Sequence, residues 1–224
     1  MIYTLAGALP MASAFILLPF YLELPREIYG ALALYLAFSL FIQILVTYSF
    51  DTSVYIHFHE YKNNPVKLAT FISSAFGFMV LIACALAIPV IAGGEFLFSL
   101  IFRNERISFY PFGLLAFVTG IFQALFKVYT NLLQSREKPV LFLRSNVFSF
   151  SMIALFTIAG LYVFPDTLIG PVGGRALAGL LATLWVFYRI CREFGFQFDY
   201  ALLKTTFGYN HYAFIYQVQQ WFMN

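Results

Sequence analysis

The feature that most limits how this chain can fold is a succession of long apolar runs. From Ala31 to Ile56 the only charged residue is Asp51. Such runs cover, approximately, Ile2–Leu22, Tyr29–Ile56, Val66–Ile91, Tyr110–Leu133, Val140–Phe164 and Val172–Ile190, and another begins near Phe207. They approach or exceed the roughly 18–20 residues that cross a bilayer as a helix. Barrel strands would alternate polar and apolar residues over about 10 positions, whereas these runs are apolar all round. Only 10% of the residues are charged, against about 25% in soluble domains. The sequence therefore predicts an all-α, polytopic membrane helical bundle of six transmembrane helices plus the start of a seventh.

Ala12-Ser13-Ala14 has the small residues of a signal-peptide cleavage site. No positive segment precedes it and the apolar run continues to Leu22, so the segment reads as a first span. Orientation follows from Lys and Arg. The loops and span ends after spans two, four and six hold nine: Lys62, Lys67, Lys127, Arg136, Lys138, Arg144, Arg189, Arg192 and Lys204. Those after spans one, three and five hold four: Arg26, Arg103, Arg106 and Arg175. The positive-inside rule places the larger group and the N-terminus in the cytoplasm. Tyr21, Tyr29, Tyr110 and Tyr162 then fall near the outer interface, and Tyr55, Tyr61, Tyr129 and Tyr188 near the inner one. The positive charges form no basic block, so nucleic acid is not an expected partner.

Cys84 and Cys191 fall at different depths and are expected to be unbridged. Pro10 and Pro19 fit a bent first helix of the transporter kind or a simple packing kink. Gly174, Ala178 and Ala182 recur every four residues and predict a face that a second helix can approach closely. Gly94–Phe109 mixes apolar and charged residues and is expected along the outer surface, as a short interfacial helix.

Two spans carry polar residues every four positions. Ser39, Gln43, Thr47, Asp51 and Tyr55 form one series, and Thr119, Gln123, Lys127 and Asn131 another. That spacing advances about 40° per step, which gives a slowly winding stripe on each helix. Both helices run inward, so Asp51 and Lys127 share a depth. Charges at such depth usually face a bundle interior or a wet cavity. On that reading the stripes line a common lumen, with Asp51, Gln43, Thr47, Gln123 and Asn131 as lining or ion-coupling residues, and Asp51 approaches Lys127. On the other, Asp51 sits at headgroup level and Lys127 snorkels to it.

Lys127, Arg144 and Arg175 offer cationic contacts to an anionic passenger. A guanidinium grips phosphate with paired hydrogen bonds. Arg144 also fits an ordinary inner-side anchor. His57 and His59 are two apart, so on a helix they point about 200° away from one another and do not converge on a metal. No phosphate loop or nucleophile elbow is present. The ten acidic residues are dispersed, so neither an enzymatic role nor a metal or other cofactor is expected.

The stretch YLELPREIYGALALYLAFSLFIQILVTYSFDTSVYIHFHEY resembles the start of bacterial polysaccharide-biosynthesis flippases of the multidrug/oligosaccharidyl-lipid/polysaccharide exporter superfamily. Pro25, Glu27, Tyr29 and Gly30 match that family's outer turn. Asp51-Thr52 and Phe58–Tyr61 match the end of its second helix. Asn131–Gln134 followed by Arg136-Glu-Lys-Pro139 is similar to its fourth-helix exit, and Gly174–Gly179 to the opening of its sixth helix. Phe207–His211 departs from it, having Gly208 but no proline.

The resemblance implies the N-terminal lobe of a MATE-like exporter fold, with residues 1–206 as that lobe and 207–224 as the start of a truncated second lobe. It implies a non-enzymatic flippase that moves a lipid-linked oligosaccharide, on polyprenyl pyrophosphate, across the cytoplasmic membrane of a bacterium for surface polysaccharide or O-antigen synthesis. Glycan polymerase and glycosyltransferases of the pathway would be its partners, beside the bilayer. A drug/cation antiporter of the same superfamily, a membrane-embedded transferase on polyprenyl-linked sugars and a non-catalytic membrane partner remain alternatives.

Overall fold

The computed structural model describes residues 2–102, 107–165 and 167–223. Arg103 and Arg106, counted among the outer charges, lie outside them. Among the described residues the regular structure is entirely helical: α1 (Ile2–Leu22), α2 (Arg26–Thr47), α3 (Phe50–Tyr61), α4 (Pro65–Phe102), α5 (Leu114–Ser135), α6 (Pro139–Val163), α7 (Gly174–Phe194) and α8 (Tyr200–Met223). Two short stretches lead into α5 and α7: Phe109–Gly113, with extended backbone angles at Tyr110 (φ −94°, ψ 134°), and the π-helical turn Ile169–Gly173.

Five segments among the described residues are long and apolar enough to cross a membrane: Arg26–Tyr61, Pro65–Leu100, Phe109–Ser135, Pro139–Val163 and Ile169–Phe194. The second to sixth expected spans each fall on one of them. α1, of 21 residues, carries no charged side chain, and α8, of 24, carries Lys204 among its polar residues. The chain is thus a helical membrane bundle. Its outer surface agrees, since Phe15, Leu81, Ile88, Leu155 and Leu184 are exposed. Apolar surface of that extent is a liability in water and the norm against lipid.

Four features of the chain path bear on the sequence reading and on the site. First, the expected second span is not one helix. Tyr48 and Ser49 both take left-handed backbone angles, φ 43° and 59°, and divide it into α2 and α3. The Thr47 hydroxyl donates back to the Gln43 carbonyl at 2.6 Å, a competition that weakens helices locally. The Ser49 carbonyl accepts from the N–H groups of Thr52 and Ser53 and starts α3. Asp51 therefore lies in the first turn of a new helix, where the macrodipole favours a carboxylate. Local backbone geometry, as well as depth, accounts for an acid at the end of so apolar a run.

Second, the helical path of α4 breaks at Gly93 (φ −137°, ψ 27°), so that Gly94 opens a short helix of its own beyond the break, as the sequence reading expected. Pro89 lies four residues before the kink and leaves the Ala85 carbonyl without its helical donor. Past the kink, the Glu95 carboxylate accepts from the N–H groups of Phe109 (3.1 Å) and Tyr110 (3.2 Å). Third, α8 begins at Tyr200, before the expected start at Phe207, so residues 206 and 207 lie within one helix. The Asp199 side chain accepts from the Leu202 N–H and caps it. Fourth, α1 is one helical segment from Ile2 to Leu22, positions 10 and 19 included.

α2 packs chiefly on α5, α1 on α6, and both α5 and α6 on α7. Small residues permit the closest approaches. A Cβ at Gly120 would lie 2.5 Å from the Ser39 carbonyl oxygen, and one at Gly174 would lie 2.6 Å from that of Phe156. Gly174, Ala178 and Ala182 are all buried, as their spacing predicted. α8 leans on α2, α3 and α4, fixed by the Ser53 hydroxyl donating to the Asn210 side chain at 2.6 Å. Tyr48 supports the same seam, with its ring 5.1 Å from Phe214.

Candidate functional site

The helix break presents Asp51 to α5. Its carboxylate is 8% exposed, and Oδ2 lies 2.8 Å from Lys127 Nζ, whose side chain is 38% exposed. The Asn131 side chain donates to the Asp51 carbonyl at 3.4 Å. Asp51 Oδ1 accepts nothing among the described residues.

Lys127 opens on a cavity of about 540 Å³ between α1, α2, α5, α6 and α7. Gln43, Gln123 and Arg175 share its wall with Ser13, Thr130, Asn146 and Ser149. Arg175 Nε donates to the Tyr21 hydroxyl at 3.3 Å, and no carboxylate pairs with it among the described residues. The Lys127 charge is compensated by Asp51, so Arg175 carries the uncompensated charge of this wall. Gln123 Oε1 is buried and accepts nothing among the described residues. A guanidinium beside hydroxyls and amides forms an anion-binding surface with neutral polar surroundings.

A second cavity of about 680 Å³ lies between α2 and α8. It shares Leu40, Gln43 and Lys127 with the first and adds Tyr216, Gln217, Gln220 and Trp221.

The structure thus brings Lys127, Arg175, Gln43 and Gln123 to one cavity and Asp51 behind it. It does not bring the other expected site residues there. Arg144 is exposed and lines a separate recess with Lys138 and Pro139. The reason is angular: Arg144 and Asn146 are two apart on α6, about 200° around the helix, and Asn146 takes the cavity face. Thr47 is fully buried and satisfied by its own helix. Asn131 contacts Asp51 but lines neither cavity. The continuous stripe from Ser39 to Tyr55 is not formed, because the break at Tyr48 and Ser49 rotates its lower part. Tyr55 is exposed, and Ser39 lines only a crevice of about 10 Å³ with Thr119 and Arg175.

Sequence reasoning missed Ser13, Thr130, Asn146, Ser149, Gln217 and Gln220. Two signals were present. Asn146 with Ser149, and Gln217 with Gln220, are polar pairs three apart on apolar helices, and that spacing puts each pair on one face.

Two other groups have local partners. His57 Nδ1 meets Glu60 Oε2 at 2.7 Å and its ring stacks on Tyr61, whereas His59 packs edge-on against Tyr55. Cys84 and Cys191 are free thiols. Comparisons with protein-family models, curated proteins and solved structures found no match.

Proposed function

We propose that this bundle is the first lobe of a lipid-linked oligosaccharide exporter, with six spans and the start of a seventh and its N-terminus in the cytoplasm of a bacterium. Its passenger is a polyprenyl-pyrophosphate oligosaccharide carried from the inner to the outer leaflet of the cytoplasmic membrane. The observation that carries this reading is the cavity in which Arg175 and the Asp51-compensated Lys127 meet amide and hydroxyl groups between apolar helices. Arg175 takes the pyrophosphate. Asp51 holds Lys127 and releases it toward the phosphate when the lobe rocks, in the manner of alternating access. Glycan polymerase and glycosyltransferases supply and consume the passenger.

The test is outward movement of a fluorescent polyprenyl-pyrophosphate oligosaccharide in vesicles containing the chain. Asp51→Ala, Lys127→Ala and Arg175→Ala should each slow it while the amount of inserted protein stays constant. Undiminished movement in all three variants removes the proposal.

A drug/cation antiporter is the second reading. One observation favours it: Asp51 Oδ1 is buried and accepts no hydrogen bond among the described residues, so it could receive a proton or a monovalent cation. Cation-driven counterflow of an organic cation in the same vesicles, lost in Asp51→Asn, would select it.

A further inference from the structure

The larger cavity has a different chemistry from the Arg175 cavity beside it. Its polar groups are the carboxamides of Gln43, Gln217 and Gln220, and its one charged group, Lys127, is already paired with Asp51. Each carboxamide both donates and accepts. Tyr216 and Trp221 are its aromatic residues, and Ala37, Leu40 and Ile44 make the rest of the wall apolar. These rings are held in place: Trp221 lies 4.7 Å from Phe41, and the Tyr216 hydroxyl accepts from Gln220 Nε2 at 3.1 Å. Gln217 Oε1 is shielded and accepts no hydrogen bond among the described residues, and a buried acceptor left so is costly until a donor reaches it.

These features discriminate among occupants. A free anion would find no uncompensated positive charge. An aliphatic chain would suit Ala37, Leu40 and Ile44 but would leave the shielded Gln217 oxygen without a donor. An uncharged sugar satisfies both walls, with hydroxyl groups that donate and accept against the amides and a C–H face that lies on an aromatic ring. About 680 Å³ is within the roughly 300–1,000 Å³ of cavities that enclose small ligands.

We infer that the α2–α8 cavity is a binding site for neutral carbohydrate. The inference rests on the proposed function in one respect: Arg175 then takes the passenger's phosphates while its sugars lie across the Gln43–Lys127 wall. The sugar site itself is tested separately.

The chain has two tryptophans, so Trp185→Phe leaves Trp221 as the only reporter. In lipid nanodiscs free of sugar detergents, this variant is titrated with maltotriose and with chitotriose, and the emission of Trp221 is followed. Binding of labelled pyrophosphate is measured in parallel by equilibrium dialysis. At least one trisaccharide should shift the emission saturably. Gln217→Leu and the pair Gln217→Ala with Gln220→Ala should weaken that response at least tenfold with unchanged thermal midpoints and unchanged pyrophosphate binding. Emission unmoved by either sugar, or a response indifferent to both glutamine variants, overturns the inference. Should a glutamine variant melt early, blockade of the Trp185→Phe response by pyrophosphate but not by sugar would overturn it equally. Loss of pyrophosphate binding alone in Arg175→Ala, with the sugar response kept, supports the division between the two cavities. Absence of pyrophosphate binding in the unaltered chain would count against the proposed function and leave the sugar site standing.

Discussion

Lys127 Nζ stands 2.8 Å from Asp51 Oδ2, joining the middle of α5 to the first turn of α3. The two partners are unequally covered, 8% exposed for Asp51 and 38% for Lys127. Removing either one should therefore have unequal costs. Lys127→Ala leaves a buried carboxylate without its cation. Its cost should be about 2 kcal/mol, below the roughly 3–5 kcal/mol of a fully buried pair because the lysine is only part-buried. Asp51→Ala leaves an ammonium that can turn toward the cavity, and its cost should be smaller. Thermal midpoints of the two single variants and the double variant in nanodiscs check this. The double should lose less than the sum of the singles; additive losses would mean that the pair is not coupled.

Glu193 in the last turn of α7 gathers three cations. Arg136 and Arg189 both pair with it, and Lys138 lies 3.9 Å away. A carboxylate at a helix C-terminus opposes the macrodipole, so the cations offset an unfavourable placement and bind the α5–α6 turn to α7. Glu193→Ala would leave those cations facing one another. A loss of about 2–3 kcal/mol is expected, shrinking as salt screens the repulsion. Melting curves at low and high salt measure it, and an unaltered midpoint at low salt would remove the clamp.

Hydropathy located the second to sixth spans because a bilayer imposes length and composition on every crossing helix. It could not locate the break at Tyr48 and Ser49, since average apolarity is blind to the backbone angles of two residues. Neither residue is the glycine or asparagine that usually marks a left-handed position. The start of α8 was misplaced for a related reason. Lys204 interrupts the apolar run and hides the Asp199 cap. At the site, pairing by depth brought Asp51 to Lys127 correctly. Arg144 lines a recess apart from that cavity, because helical angle and not depth decides its face.

Ser49 holds φ 59° although its hydroxyl is buried and has no partner among the described residues. A left-handed angle costs an L-residue about 1–2 kcal/mol, and a glycine almost nothing. Ser49→Gly should therefore raise the thermal stability, by about 1 kcal/mol, without loss of a hydrogen bond. Ser49→Val adds branching at the same strained angle and should lower it. If instead both variants melt below the parent, the break is held by the serine side chain and not by its surroundings.

Gly160 on α6 and Gly170 in the turn before α7 touch backbone to backbone. A Cβ on Gly160 would lie 2.7 Å from Gly170 Cα and 2.8 Å from its carbonyl oxygen. Those atoms belong to main chain and cannot swing aside, so α6 and the turn must separate. Gly160→Ala should cost about 1–3 kcal/mol, the usual range for overpacking. Gly208 in α8 provides the contrast, because a Cβ there meets nothing within 4 Å. Gly208→Ala should add about 0.5–1 kcal/mol by restricting the unfolded chain and favouring helix. The sign of the difference between the two variants is the measurement. Opposite shifts in thermal midpoint follow from the packing described, and a gain in both would mean that α6 and the turn before α7 do not approach this closely.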